Sequence, residues 1–311
     1  MKTISKKVLI TGSSGFIGFH LSKHLLRNNF FVIGIDNLSN YYDVNLKIKR
    51  QDILTQNDNF VCYNQDIKNK NTFNNIFEKY RPKIIIHLAA QAGVRYSLKN
   101  PKSYIDANLC GSFNLLETLR KYTPDHLLFA SSSSVYGSNT KLPFDENQKC
   151  DTQLSLYAAT KKANEAMCHS YSHNFSIPIT LLRFFTVYGP WGRPDMALFK
   201  FVKSILNNKK INIYNYGKME RDFTYIDDIV NAIFLLINKV PQKPNDRGIK
   251  IKNDSLSSVA PWRVVNIGNS NPIKLEDFIG QIEKNLGKEA IKNYEDMQPG
   301  DVTKTWSNIN L

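Results

Sequence analysis

The feature that most constrains the fold of this 311-residue chain is a regular alternation of buried strands and helix-length segments. Short, continuous apolar runs predict strands, each followed by a segment long enough for a helix. Parallel neighbours need such crossovers, and continuous apolar runs indicate strands covered on both faces. We therefore predict an α/β fold with a doubly wound parallel sheet. Its predicted strands in the first half of the chain are 7–11, 31–36, 60–62, 84–88, 127–130 and 177–185.

The pattern changes after residue 188, where the turn-rich segment 189–194 interrupts the alternation. We predict a large lobe (1–186 plus 223–268) and a smaller C-terminal lobe (187–222 plus 269–311). The polar, Pro-interrupted stretch 241–261 is predicted to be a long exposed loop. In the first part of the chain, helices are predicted at 16–28 and 157–173. After residue 188, helices are predicted at 199–207 and 225–239 and strands at 211–214 and 263–267.

A glycine-rich loop lies between the first strand and the first helix. Gly12, Gly15 and Gly18 permit a tight turn and close approach of a pyrophosphate to the helix N-terminus. Asp36 ends the second strand, where a carboxylate binds ribose hydroxyls and repels a 2′-phosphate. The pattern predicts a Rossmann-type site for NAD rather than NADP. Asp66, after the third strand, is a weaker candidate for contact with the adenine.

Tyr157 and Lys161 are four residues apart and so share one face of a helix. A phenol with a pKa near 10 is a poor base at neutral pH. We expect the Lys161 ammonium, together with a positive nicotinamide, to lower the pKa of Tyr157. Ser132, at the carboxyl end of the strand at 127–130, would orient a substrate alcohol. The alternative is an ordinary surface pair beside a polar turn.

These motifs together resemble an extended short-chain dehydrogenase/reductase of the nucleotide-sugar epimerase and dehydratase group, over nearly all of 6–301. The match includes His87-Leu88-Ala89-Ala90 and the segment 221–228. The resemblance implies catalysis by Tyr157, Lys161 and Ser132, and homodimerisation through helices at 108–121 and 157–173. It also implies that the large lobe binds NAD and the smaller lobe the UDP-sugar. The NAD-binding residues it implies are Gly12, Gly15, Phe16, Ile17, Gly18, Asp36, Asn37, Asp66, Ile67, Leu88, Ala89, Ala90, Asn108, Tyr157 and Lys161.

The resemblance also bears on the reaction. Dehydratases of this group carry an Asp-Glu pair where this chain has Ser133-Ser134, and decarboxylases usually carry a glutamate at the Ser134 position. Elimination needs an additional acid and base. Their absence implies 4-epimerisation, in which a hydride is removed, the keto sugar rotates, and the hydride returns to the opposite face. The substrate-binding residues implied are Arg95, Ser133, Ser134, Thr186, Arg193, Arg221, Gln298 and Asp301, with Arg221 on the diphosphate and Gln298 and Asp301 near the uridine ribose.

Two arginines suggest which sugar is bound. Arg95 and Arg193 would suit an anionic substituent such as a C6 carboxylate, although phosphate binding or loop capping is an alternative. The segments 90–97 and 183–196 resemble the UDP-glucuronate 4-epimerase group, in which the Arg193 position contacts the carboxylate. We therefore expect NAD-dependent interconversion of UDP-glucuronate and UDP-galacturonate through a 4-keto intermediate. The alternatives are a UDP-glucose/UDP-galactose 4-epimerase and, in another class, a non-catalytic nucleotide- or RNA-binding relative.

Composition points away from other classes. The net charge of +14 comes from dispersed lysines without a long basic tract, so no nucleic-acid partner is expected. No apolar run of membrane-spanning length occurs, and no membrane association is expected. The four cysteines lack metal-binding spacing; no metal is expected, and we predict buried, reduced thiols in a cytoplasmic protein.

Overall fold

The computed structural model describes residues 6–243 and 254–311. Its centre is a parallel sheet of seven strands in the order β10-β6-β5-β4-β1-β2-β3. The predicted doubly wound α/β fold is confirmed. The strands of this sheet are β1 (Lys7–Thr11), β2 (Phe31–Ile35), β3 (Phe60–Tyr63), β4 (Ile84–His87), β5 (His126–Ser132), β6 (Ile179–Phe184) and β10 (Trp262–Ile267).

Helices cover both faces of the sheet. The described helices are α1 (Phe16–Arg27), α2 (Val44–Thr55), α3 (Asn71–Tyr80), α4 (Val94–Lys99), α5 (Pro101–Tyr104), α6 (Gly111–Lys121), α7 (Leu156–Phe175), α8 (Ala197–Leu206), α9 (Ile226–Ile237) and α10 (Leu275–Leu286). A π-helix (Ile105–Cys110) joins α5 to α6. Short 3₁₀ turns lie at Ser133–Tyr136 and Asn215–Gly217.

Strand periodicity divides the core into two layers. Val8 and Ile10 of β1 pack with α1 and α9 on one face, whereas Leu9 packs with α3, α6 and α7 on the other. All three side chains are fully buried. Alternate residues of a strand point to opposite faces, so a strand covered on both sides must be apolar throughout.

Two short sheets lie outside the main sheet. β7 (Thr186–Tyr188), β9 (Glu220–Tyr225) and β11 (Pro272–Lys274) form one, and β8 (Ile211–Tyr214) pairs with β12 (Lys292–Glu295) in the other.

The strand predicted at 177–185 is wrong in extent, because β6 ends at Phe184 and the chain leaves the main sheet as β7. The helix predicted at 225–239 starts one residue later, after strand β9, which the sequence analysis did not assign; α10 was not assigned either. Of the loop predicted at 241–261, residues 244–253 lie outside the described part of the chain.

No helix among the described residues is long and apolar enough to cross a membrane. Of the cysteines, Cys150 and Cys168 are buried and Cys62 is half-buried, but Cys110 is exposed, so the prediction of buried thiols is wrong for Cys110. The reason is the π-helix, which turns Cys110 outward beside Gly111 while Asn108 faces the interior.

Two buried histidines make stability depend on pH. Burial lowers the pKa of His126 to about 4 and that of His87 to about 3. Between pH 6.5 and about 4, both histidines stay largely neutral in the folded protein, whereas the histidines of the unfolded chain take up protons. We expect the free energy of unfolding to be insensitive to these groups above pH 6.5. It should fall between pH 6.5 and 4 by up to about 1.4 kcal/mol per pH unit for each histidine.

Urea unfolding of the His126→Gln variant at pH 7 and pH 5 checks this expectation. The His126 ring hydrogen-bonds the Ile237 carbonyl and the Thr180 hydroxyl, away from the site described below. The variant should lose less stability than wild type on acidification. An exposed-histidine control, His173→Gln, should match wild type. Equal losses in all three proteins would contradict the assignment.

Candidate active site

A cavity of about 1330 Å³ opens at the carboxyl edge of the main sheet. The strand order reverses between β1 and β4, so the loops after these strands diverge and leave a crevice there. The loops after β1, β2, β4 and β5 line it, together with residues of 187–222 and 269–311, the segments predicted to form the C-terminal lobe. The cavity therefore includes residues from both predicted parts of the chain.

The glycine loop forms one end of this cavity. Gly12 has a φ of +74°, and a Cβ there would lie 2.9 Å from the Ala89 nitrogen. A Cβ on Gly18 would lie 2.0 Å from the Gly12 carbonyl oxygen, so α1 can pack this closely only without a side chain. No side chain caps α1 at Gly15, and the first-turn N–H groups remain for an anion. This arrangement fits a dinucleotide pyrophosphate.

Asp36 braces the same loop from β2. Its carboxylate accepts hydrogen bonds from the Ser14 N–H (3.0 Å) and the Leu38 N–H (2.9 Å). Burial raises the pKa of Asp36, while these hydrogen bonds and the nearby Lys47 oppose the rise. The Asp36 oxygens have remaining acceptor capacity at the cavity wall, where ribose hydroxyls would donate.

The catalytic candidates converge on the end of β5. The Ser155 hydroxyl accepts from the Ala158 N–H and caps α7, which places Tyr157 and Lys161 in its first two turns. Lys161 Nζ donates to the Ala130 carbonyl (2.9 Å), and the Ser132 hydroxyl lies near the Tyr157 phenol and opposes the rise of its pKa. Helix and strand are thereby held together, and all three predicted catalytic side chains line the cavity.

The expected effect of Lys161 on the phenol is not what the structure shows. Burial raises the pKa of Tyr157, and the groups that oppose this rise are the Ser132 hydroxyl and the Arg193 guanidinium. Burial also lowers the pKa of Lys161 to about 8. Helical spacing predicts proximity but not the desolvation of both groups. Among the described side chains, Arg193 is the cation that opposes the rise in the pKa of Tyr157. The joint effect of Lys161 and a bound nicotinamide stays a prediction.

Arg193 sits in a compact polar network. Its Nε and Nη2 bond both oxygens of Asp195 (3.1 and 2.5 Å), and the Tyr41 hydroxyl donates to Asp195 (3.0 Å). The Arg193 side chain is 22% exposed. Because Asp195 occupies one edge of the guanidinium, the opposite edge, with Nη1, is left for a ligand.

Arg95 has different neighbours. It pairs with Asp301 (2.6 Å) and stacks over the Tyr214 ring at 4.0 Å. Arg221, which donates to the Val302 and Thr303 carbonyls, feels both the Asp301 and the Arg95 charges. Arg95 thus lies with Arg221, an arrangement suited to a diphosphate. The expectation that Arg95 and Arg193 flank the same sugar substituent finds no support in this geometry.

The cavity collects almost all of the predicted site residues. Those that line it are Gly12, Gly15, Phe16, Ile17, Gly18, Asp36, Asn37, Asp66, Ile67, Leu88, Ala89, Ala90, Arg95, Ser132, Ser133, Ser134, Tyr157, Lys161, Thr186, Arg193, Arg221, Gln298 and Asp301. Asn108 does not line it.

Asn108 is fully buried in the π-helix. Its amide bonds both the Gln91 N–H and the Gln91 carbonyl, as well as the Thr160 hydroxyl. The side chain thus ties the loop after β4 to α7, a supporting position rather than the cavity wall.

Sequence reasoning missed Tyr41, Asp195 and Tyr214, which the structure places in the same cavity. Tyr41 lies in the loop after β2 and Tyr214 is the last residue of β8, but aromatic residues are common at such positions. Asp195 stands two residues after Arg193, a weak signal, since an i, i+2 pair meets only when the backbone turns suitably. The +14 net charge gave no indication of these neighbours.

Among the described residues, no group of three or more His, Cys, Asp or Glu side chains is placed to hold a metal ion. The polar groups that gather at the cavity are hydroxyls, amides, guanidiniums and single carboxylates. Such a set suits sugar, diphosphate and ribose hydroxyl groups.

The chain is similar to known proteins over nearly its whole length. It is 51% identical over 304 residues to protein CapI of Staphylococcus aureus, covering 98% of this chain and 90% of that protein. It is 50% identical over 305 residues to a probable UDP-glucuronate 4-epimerase of Rhizobium meliloti, covering 98% and 89%.

A similar crystal structure is also known. The UDP-glucuronic acid 4-epimerase of Bacillus cereus, in complex with UDP-glucuronic acid and NAD, matches with a TM-score of 0.86 and 35% identity, covering 97% of this chain and 90% of that one. Residues 8–251 match the model of one family. With the glycine loop and the Tyr157–Lys161 pair at one cavity, the chain belongs to the NAD-dependent epimerase/dehydratase family.

Proposed function

We propose that this protein is an NAD-dependent 4-epimerase that interconverts UDP-glucuronate and UDP-galacturonate. The observation that carries the proposal is the position of Arg193, whose guanidinium acts electrostatically on Tyr157 and lies within the same cavity. A cation beside the catalytic phenol suits a sugar with an anionic C6 substituent. The similarity to UDP-glucuronate 4-epimerases supports the same substrate.

The glycine loop, Asp36 and Lys161 are proposed to hold NAD, which supplies a reversible acceptor for the hydride on C4 of the sugar. Gly12, Gly15 and the start of α1 would bind its diphosphate, and Asp36 would bind a ribose hydroxyl. The Asp36 carboxylate disfavours a 2′-phosphate by charge repulsion. Leu88, Ala89 and Ala90 complete this wall of the cavity.

Tyr157 and Ser132 are proposed to move the proton. Tyr157 takes the C4 hydroxyl proton as the sugar is oxidised and returns it as the sugar is reduced. Ser132, which lines the cavity beside the phenol, orients the reacting oxygen. Ser133 and Ser134, which also line the cavity, contribute no carboxylate, so elimination of water would lack the additional acid and base.

Epimerisation requires the 4-keto sugar to present both faces in turn. Arg221 and Arg95 are proposed to hold the diphosphate throughout, while the sugar rotates beyond it. Arg193 would bind the C6 carboxylate in either orientation. Gln298 and Asp301 are proposed to lie near the uridine ribose, and Thr186 beside the sugar. The two-lobed division predicted from the sequence is kept as a proposal with this assignment of roles.

Incubation of the purified protein with NAD and UDP-glucuronate, followed by chromatographic separation, tests the proposed function. UDP-galacturonate should form without net accumulation of NADH. UDP-glucose in place of UDP-glucuronate is the matched control, because it differs in the C6 substituent. Turnover of UDP-glucose alone would favour the neutral-sugar epimerase, and binding without turnover of either would favour the non-catalytic alternative.

We also propose a homodimer that forms through the helical segment containing α6. Ile105 and Phe113 on this segment are apolar and exposed, 39% and 45% respectively. Phe113→Glu would place a charge in the proposed contact, where desolvating it is costly. We expect light scattering to give a dimer mass for wild type and a monomer mass for the variant. Leu235→Glu, on the exposed side of α9, is the control and should remain dimeric. A monomeric wild type would refute the dimer.

A further inference from the structure

Arg50, on α2, is a buried cation that the proposed reaction does not use. Its side chain is fully buried, yet no carboxylate of the described residues lies within ion-pairing distance of it. Burying a guanidinium without a paired anion is costly unless hydrogen bonds satisfy it. The burial of Arg50 therefore calls for hydrogen bonds that satisfy its guanidinium, and these bonds hold the segments around it in place.

The hydrogen bonds of Arg50 join three separate segments. Nη1 donates to the Ser14 carbonyl of the glycine loop (3.0 Å) and to the Tyr42 hydroxyl (2.9 Å). Nη2 donates to the carbonyls of Trp191 (2.5 Å) and Gly192 (3.3 Å). One planar fork therefore links the pyrophosphate end of the cavity to the turn directly before Arg193.

That turn is strained. Trp191 has a φ of +56°, a left-handed conformation that bulky residues rarely adopt. Its ring packs against Phe19 of α1 (centroids 5.5 Å apart), and His20 of α1 hydrogen-bonds the Pro190 carbonyl (2.9 Å). A left-handed tryptophan persists only where its surroundings hold it, and Arg50 binds its carbonyl.

The Tyr41-Tyr42 loop connects the same two places. Tyr42 accepts a hydrogen bond from Arg50, and its neighbour Tyr41 donates to Asp195, the partner of Arg193. Arg50 is therefore connected to Arg193 in two ways. It binds the Trp191 and Gly192 carbonyls directly before Arg193, and it binds Tyr42, whose neighbour Tyr41 contacts the Arg193 counterion.

We propose that Arg50 is a positioning residue that fixes Arg193 relative to the cofactor-binding glycine loop, so that recognition of an anionic sugar depends on Arg50. The proposal rests on the proposed function for its substrate. The coupling itself is a property of the described loops: ordering the glycine loop around a dinucleotide orders the Trp191-Gly192 turn through the shared guanidinium.

Arg50→Lys is the informative substitution, since it keeps the charge but lacks the planar fork. Arg263→Lys is the matched control. Arg263 is partly buried and, like Arg50, has an Nε with no hydrogen-bond partner among the described residues, but it lies on β10 at one edge of the main sheet. Tyr42→Phe removes one of the four groups that accept hydrogen bonds from Arg50, and it replaces Arg50→Lys in the test if that variant does not fold. Its effects should have the same sign and be smaller.

The first readout is amide hydrogen exchange with and without NAD. In wild type and Arg263→Lys, NAD should slow exchange in both 12–18 and 189–196. In Arg50→Lys, NAD should still protect 12–18, whereas protection of 189–196 should fall about tenfold, the factor that loss of one hydrogen bond to a charged group represents. Undiminished protection of 189–196 in Arg50→Lys would overturn the proposal.

The second readout separates positioning from general damage. In Arg50→Lys, the KM for UDP-glucuronate should rise about tenfold, while the inhibition constant of UDP, which lacks the sugar, stays near the wild-type value. A parallel loss for both ligands would show a merely structural role and overturn the proposal. If wild type does not turn over UDP-glucuronate, the proposed function fails, and the exchange experiment still decides the role of Arg50.

Discussion

Tyr157→Phe is expected to lower kcat for epimerisation by about 10²–10⁴-fold, the range typical of a positioned acid–base group. The variant keeps the ring and removes only the hydroxyl that would exchange a proton with the sugar. NAD binding should persist, because the residues proposed to bind the diphosphate and ribose are unchanged. Steady-state turnover of UDP-glucuronate and calorimetric titration with NAD measure the two effects separately.

Tyr171→Phe is the matched control. Tyr171 lies on the same helix, but its hydroxyl donates to Glu117, outside the cavity. The kcat of the Tyr171→Phe variant should stay within a factor of about two of the wild-type value. Substitutions away from special structural features usually alter free energies by under about 0.5 kcal/mol. Tyr157→Phe activity near the wild-type value would rule out the proton transfer assigned to Tyr157, and a parallel loss in both variants would indicate damage to α7.

Arg193→Ala is expected to lower kcat/KM for UDP-glucuronate by about 30- to 1000-fold. The estimate follows from losing a charge-assisted hydrogen bond to a partly buried carboxylate, about 2–4 kcal/mol. The inhibition constant of UDP should change little, since UDP has no C6 carboxylate. Arg95→Ala should show the converse pattern, with weaker UDP binding, because Arg95 lies beside Arg221 and Asp301.

A second consequence concerns the products. A 4-keto-uronate is a β-keto acid. Its C5–C6 bond breaks when that bond is perpendicular to the plane of the C4 carbonyl and the carboxylate is desolvated. Carbon dioxide leaves, the electron pair forms the enolate, and a proton then adds at C5. A guanidinium holding the carboxylate restrains this alignment. Arg193→Ala should therefore raise nucleotide-pentose formation relative to epimerisation.

Nucleotide-sugar chromatography of the Arg193→Ala reaction measures that ratio. Asp195→Asn is a useful companion, because it removes the negative charge beside Arg193 while keeping Arg193 itself and the size of the neighbouring side chain. It should keep the product ratio closer to that of wild type. An unchanged pentose fraction in Arg193→Ala would refute the protective role, even if substrate binding were weakened as expected.

Much of the fold follows from local patterns. The buried strands of the main sheet, the glycine loop at Gly12 and the pairing of Tyr157 with Lys161 on one helical face all depend on periodicity or on short-range geometry. Such features are set by residues close in sequence, and so the chain alone predicts them. The boundaries near 186 and 220–225 did not follow, because the exit of β7 from the sheet depends on pairing with β9, more than thirty residues away.

The site divides in the same way. The candidate site residues were predicted from the sequence alone, and nearly all of them line one cavity. Only the tertiary structure decided which of them share an environment: Arg193 with Asp195, Tyr41 and Tyr157, but Arg95 with Asp301, Tyr214 and Arg221.

The pKa of Tyr157 shows the physical reason most clearly. Spacing places a lysine nearby, whereas burial, which raises the pKa of the phenol and lowers that of Lys161, depends on every element packed around them. Arg50 is a similar case, since nothing near it in sequence marks its contacts with Ser14 and Trp191. Sequence determines which groups the chain carries and how neighbours along it are spaced; desolvation and long-range contact, which set their charge and orientation, exist only in the folded protein.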